Sequence, residues 1–229
     1  NQKLFIEKTI NFQAIEKKLT NEEEKVVGKI SSILEKSRAL LVETLEKKKI
    51  LEKGNVAAVN KIEIPFIGNV KTQFERSYNT LSKWGLDDGK VEVKKQIPDS
   101  DSFGIVDEPF LSLTAAKTFL KALSKTKAIE SAGNIGDDLK KKLGVILTEG
   151  FRLGKTTDEI ITDVFQMFTP YVEGNVIPEQ SVEPFRLETI VRTNNTMFYN
   201  QGRLSQFTQG IKSGLVTHYQ YSAILDGRT

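Results

Sequence analysis

The chain has 229 residues, enough for one or two domains with a buried core, and its 38% hydrophobic and 28% charged content suits a helical protein with much exposed surface better than one compact enzyme globule. It has no cysteine, which excludes disulfides and thiolate metal sites within these residues, and no apolar run approaches the ~20 residues of a membrane span. The formal net charge of +3 sits at the start: residues 1–53 carry 12 Lys and Arg against 9 Glu, the remainder 21 against 21, and the mixed signs read as a solvated helix surface.

The sequence opens at Asn1 without Met or a signal-peptide pattern, as expected of part of a longer chain. Residues 11–53 predict one long helix, or two broken near Thr20-Asn21, where a capping residue precedes Glu22, Glu23 and Glu24. Val26, Ile30, Ile33, Leu34, Leu41 and Leu45 then recur at helical spacing. So narrow a stripe on so long a helix asks for a partner helix, from this chain or another subunit, and it is the expected partner-binding face. Lys47, Lys48, Lys49 and Lys53 close the helix, with Gly54 as its stop.

Residues 55–66 predict a connector in which Ile62, Ile64 and Phe66 alternate around Pro65. Phe74, Tyr78, Leu81 and Trp84 predict a helix over 68–84 stopped by Gly85. Asp87-Asp88-Gly89 reads as a turn, and Val91 and Val93 alternate with charge beyond it. Residues 94–111 predict a linker with weak strand character at Phe103–Val106. Beyond it, helices are expected over 112–130 (Leu113, Ala116, Phe119, Leu120, Leu123), 135–153 (Ile135, Leu139, Leu143, Ile146, Leu147, Phe151) and 157–168 (Ile160, Ile161, Val164, Phe165, Phe168). A long helix over 184–209 follows, and Tyr219–Leu225 alternates like a strand.

Gly154-Lys155-Thr156 looks like the tail of a phosphate-binding P-loop, but the glycine that motif needs five residues earlier is Glu149. The segment also follows a helix, whereas a P-loop follows a strand. Gly154 is therefore placed as a helix stop, and Thr156 and Glu159 as a capping box.

Chemistry-bearing patterns are sparse. The lone His218 has no metal-ligand spacing around it, and no nucleophile motif is present. The pairs Asp87-Asp88, Asp107-Glu108 and Asp137-Asp138 fit turns and helix starts. No catalytic residue, cofactor site or metal site is assigned. In the C-terminal part, Ile190, Val191, Met197, Phe198, Leu204 and Phe207 mark a buried helix face. Arg186, Glu188, Arg192, Asn194, Asn195 and Arg203 lie on the same helix, and Asp226 and Arg228 form a turn after the strand. Arg192 stands at i,i+3 from Asn195 and i,i+4 from Glu188, so a polar network of Arg186, Glu188, Arg192, Asn195, Arg203, Asp226 and Arg228 locking the strand to the helix is expected. A ligand site, or an active centre near Arg192, Asn195, Asp226 and Arg228, is the alternative.

The order of 192-RTNN, a glycine-rich helix end around Gly210–Gly214 and a strand running into 226-DGRT resembles the minor head proteins of tailed bacteriophages, the phage Mu F-like head-morphogenesis family. The unit 150-GFRLGKTTDEIITDVFQMF is similar to that family too, and the resemblance covers roughly residues 112–229. Where the family has Arg-Thr-Glu this chain has Arg192-Thr193-Asn194, and the family's Cys-x-x-Cys segment would follow Thr229.

The resemblance implies a low-copy structural component of the virion head, at the portal vertex or capsid interior, present in host cytoplasm during assembly. Its implied partners are the portal protein or the major capsid protein, or further copies of itself, with no membrane, and its implied role touches head assembly and DNA packaging or ejection. The expected architecture is mainly α: an elongated helical interaction region over 1–93, a linker, and a helical 112–229 domain closed by a short strand or small sheet. Phosphate contacts by Lys47, Lys48, Lys49, Lys140, Lys141 and Lys142 are the expected DNA surface if the chain handles nucleic acid.

Overall fold

The computed structural model describes residues 12–53, 61–95, 114–172 and 186–212. They form α1 (Phe12–Lys47), the single turn α2 (Ile50–Lys53), α3 (Ile67–Lys95), α4 (Thr114–Arg152), α5 (Thr157–Val172) and α6 (Arg186–Lys212). The chain is mainly α, and no strand occurs among the described residues. The strand-like stretches Phe103–Val106 and Tyr219–Leu225, with His218 and the Asp226–Arg228 turn, lie outside them.

α3 and α4 are longer than the sequence signals predict, while α1 takes the single-helix form of the two expected. α1 runs unbroken through Thr20-Asn21, because Ile15, Leu19, Val26, Ile30 and Leu34 carry one buried stripe across that point. Glu22 and Glu23 are accordingly buried on this helix rather than fanned out as first-turn acids. α3 passes through Gly85 and the Asp87-Asp88-Gly89 segment to Lys95, so the expected stop and turn are both helical, as are Val91 and Val93. α4 joins the two helices expected over 112–130 and 135–153. Its stripe of Leu120, Ser124, Ala128, Ala132, Ile135, Leu139, Leu143 and Leu147 continues without a break. Within 131-SAGNIG-136, Ser131 and Ala132 are buried and a Cβ on Gly136 would stand 3.3 Å from Ile67 Cγ1, whereas Gly133 faces open space.

Two compact units divide the chain. One comprises residues 1–24, 76–125 and 193–229, and the other residues 25–75 and 126–192. Each therefore takes residues from both the 1–93 and the 112–229 segments. In the second unit Val26, Ile30, Leu34, Leu41 and Leu45 are buried together with Val70, Phe74, Leu139, Leu143, Ile160, Val164 and Phe168. The stripe expected to bind a partner protein is thus this chain's own core, with Ile33 half-buried at its edge.

The connections in this unit are tightly specified. α1 ends where Lys49 enters the left-handed region at φ 52°, its N–H donating to the Glu46 carbonyl at 2.8 Å, rather than at Gly54. Ile62 and Ile64 are buried in alternation, but Phe66 takes a φ of 61° and turns outward, while its carbonyl accepts from Asn69 and Val70 in the first turn of α3. Ser37 holds this connector by donating to the Pro65 carbonyl at 2.7 Å. Between α4 and α5, Gly154 at φ 66° ends one helix and Thr156 caps the next. The Thr156 N–H donates to the Glu159 carboxylate at 2.7 Å, and the Glu159 N–H to the Thr156 hydroxyl at 3.3 Å. Lys155, the residue a P-loop would aim at phosphate, pairs with Asp163 at 2.7 Å, and that bond raises its pKa.

Candidate functional site

In the first unit α3 and α6 come into backbone contact, and three glycines make this possible. A Cβ on Gly85 would overlap the Tyr199 carbonyl oxygen, and one on Gly89 would stand 3.0 Å from Arg203 Cα. On the facing helix, a Cβ on Gly202 would overlap the Ser82 carbonyl oxygen and come within 2.8 Å of the Leu86 amide nitrogen. Glycines at i and i+4 remove the side chains that keep helices 8–10 Å apart. Gly85 and Gly89 are therefore a packing surface, not helix punctuation.

Around this seam lies a ladder of polar and aromatic contacts. Ser77 donates to Asn195 Oδ1 at 3.1 Å, both residues buried. Tyr78 stacks on Phe198 with ring centroids 4.5 Å apart. The Tyr199 hydroxyl donates to Asp88 Oδ2 at 2.9 Å, and Lys18 of α1 reaches the same oxygen at 3.3 Å while lying 4.6 Å over the Trp84 ring. Arg203 pairs with Glu92 at 2.7 Å, the two side chains only 8% and 7% exposed. Its guanidinium also lies 5.8 Å from the Tyr199 ring and 5.7 Å from that of Phe207, one turn to either side. Contacts advance along both helices together, from Ser77 to Glu92 and from Asn195 to Arg203, so the two run parallel through this unit.

Burial, with the Asp88 charge and hydrogen bond beside it, raises the Tyr199 pKa. The phenol therefore stays protonated as a donor. Each carboxylate on the ladder has a cation: Lys18 for Asp88 and Arg203 for Glu92. The arrangement holds helices together at fixed register. Two donor nitrogens in it, Asn195 Nδ2 and Arg203 Nε, are buried without a partner.

No protein-family model matches the chain, no curated protein is significantly similar to it, and no solved structure matches it significantly.

Of the expected polar network, Asn195 and Arg203 are in this seam, joined to α3. Glu188 and Arg192 are half-buried in the other unit, where Arg192 is not without a partner. The side chain of Arg186 and the residues Asp226 and Arg228 lie outside the described set. Among the six lysines expected on DNA, Lys47 pairs with Glu43 and Lys142 with Asp138, Lys140 is half-buried, and Lys48, Lys49 and Lys141 are exposed. The sequence does not single out Asp88 and Glu92 as partners, because Asp87-Asp88-Gly89 reads as a turn and Glu92 as a charge alternating with Val91 and Val93 beyond it. The Gly85–Gly89 spacing and the i,i+4 relation of Asp88 to Glu92 were the signals available. Among the described residues no cluster of three or more His, Asp or Glu side chains is placed to hold a metal ion.

Proposed function

We propose that the chain is a structural minor head protein of a tailed phage or prophage, docking to portal or major capsid protein during head assembly. One observation carries the non-catalytic side of this reading: Asn195 and Arg203, the polar groups of the C-terminal helix most suited to a ligand, are turned onto Ser77 and Glu92 of a neighbouring helix and buried there. A catalytic centre would instead aim such groups at an accessible substrate. The family assignment itself rests on the resemblance of 192-RTNN through 226-DGRT, in which residues 219–225 close the C-terminal half as a strand. It places the protein in the virion head, at the portal vertex or capsid interior, in few copies.

The test is reconstitution with the products of the genes beside its own. Co-elution with an assembled portal ring, or retention on capsid shells, is the expected result. Separate elution from both, with no portal, terminase or scaffold gene nearby, would remove this reading. The nucleic-acid alternative is supported by the exposed Lys48, Lys49 and Lys141. It requires retention on duplex DNA that falls steeply with salt.

A further inference from the structure

A second feature of the α3–α6 unit stands apart from the seam and does not rest on the phage reading. A cavity of about 430 Å³ opens between α3, α4 and α6, within the size range of small-molecule sites. Its floor is made by Ser82, Leu86, Leu120 and Gln206, all buried. Two polar atoms of these residues, Ser82 Oγ and Gln206 Oε1, are buried with no hydrogen-bond partner. Its rim carries Lys83 and Lys90 from α3 and Lys117 and Lys121 from α4. Asp87 is the single carboxylate among the lining residues.

Helix spacing explains the convergence. Ser82, Leu86 and Lys90 repeat every four residues along one face of α3, and Lys117 and Lys121 stand one turn apart on α4 beside Leu120. Four lysines and one carboxylate around one opening leave it with an excess of positive charge that favours an anion. None of the four forms an ion pair among the described residues, whereas Lys18, Lys47, Lys127, Lys142 and Lys155 all do. The floor asks for something different. Gln206 Oε1 is an acceptor and needs a donated hydrogen, and Ser82 Oγ can donate or accept. Leu86 and Leu120 offer an apolar wall to a ring or carbon skeleton.

The geometry points to a binding site for a small phosphate ester, its phosphate among Lys83, Lys90, Lys117 and Lys121 and its donor-bearing body, a sugar hydroxyl or base N–H, seated on Gln206 and Ser82. Bare inorganic phosphate would satisfy only the rim, and an unphosphorylated nucleoside only the floor. A duplex backbone would reach the rim but leave the floor unfilled.

Titration calorimetry of the full chain with AMP, glucose 6-phosphate, inorganic phosphate, adenosine and a DNA duplex tests the assignment. At least one ester is expected to bind saturably at one site, about tenfold or more tighter than inorganic phosphate or adenosine. Replacing both Lys117→Gln and Lys121→Gln, exposed side chains whose loss leaves helix content unchanged by circular dichroism, should weaken the ester about tenfold or more. Lys125→Gln, exposed on the same helix but not on the rim, should change nothing. Gln206→Leu should weaken the ester and leave inorganic phosphate as it was. Absence of ester binding, or ester binding indifferent to the Lys117/Lys121 pair, overturns the proposal. So does duplex binding that the pair removes while no ester binds, which would assign these lysines to nucleic acid.

Discussion

At the residue scale the Arg203–Glu92 pair stands out because both of its charges are buried. Removing one member of a buried pair leaves the other charged and desolvated, so Glu92→Ala should cost about 3–5 kcal/mol of unfolding free energy. Glu92→Gln keeps an acceptor and should cost less, and replacing both residues with apolar ones of similar volume should restore much of the loss. Urea unfolding of the three variants checks the order. Glu159 offers a contrast in an exposed setting. The Thr156 backbone N–H, then its hydroxyl, holds the Glu159 carboxyl below its ordinary 4.5. Because the folded value is depressed, the capping contribution is complete above pH 4.5 and is lost as the pH falls through the lower folded value. A carboxyl-carbon NMR titration should place the Glu159 midpoint under 4.5; a midpoint at or above it would show that the cap is not formed in solution.

Helices, taken as elements, show where local signals lose to packing. The sequence made the helical class legible because stripes such as Val26–Leu45 and Ile135–Leu147 are long and regular. It also located the α4–α5 junction, where Gly154, Thr156 and Glu159 agree within six residues. At Thr20-Asn21 it left a single helix and a break both open, and it failed at Gly85 and 87-DDG-89, where turn-forming residues interrupt a pattern that the facing helix needs continuous. Glycine weakens a helix interior, yet at Gly85 that weakness is outweighed by the close approach of Tyr199. The polar seam was half legible for the same reason: Asn195 and Arg203 stood out on an apolar helix, and Ser77 lay in an expected helix, but Glu92, the partner of Arg203, lay beyond the expected stop at Gly85. Gly85→Ala should therefore destabilise by about 1–3 kcal/mol or more through overpacking. Gly28→Ala, in open space on the exposed side of α1, should stabilise by about 0.4–1 kcal/mol. Opposite shifts in thermal midpoint for the same substitution would separate packing glycines from incidental ones; a neutral Gly85→Ala would mean that α3 and α6 do not touch at their backbones.

For the whole molecule, the linear order of segments and the compact units are different things. Each unit closes only when stretches far apart in sequence meet: residues 1–24 and 76–125 with 193–229 in one, 25–75 with 126–192 in the other. The α3 acids Asp88 and Glu92 find their partners on α6, more than a hundred positions later, and the stripe of α1 is buried in a unit that also includes α5 and most of α4. Cutting the chain between α3 and α4 would strand apolar stripes on both fragments and separate Glu92 from Arg203. Residues 1–95 alone, and residues 112–229 alone, should accordingly show helix content by circular dichroism but no cooperative unfolding transition, and should bind a hydrophobic dye. Mixing the two fragments should restore a cooperative transition, because the broken connection carries none of the buried contacts named above. A 112–229 fragment that unfolds cooperatively by itself would show that the C-terminal half closes on its own helices, and the seam between α3 and α6 would then be an accessory contact rather than the one that completes the fold.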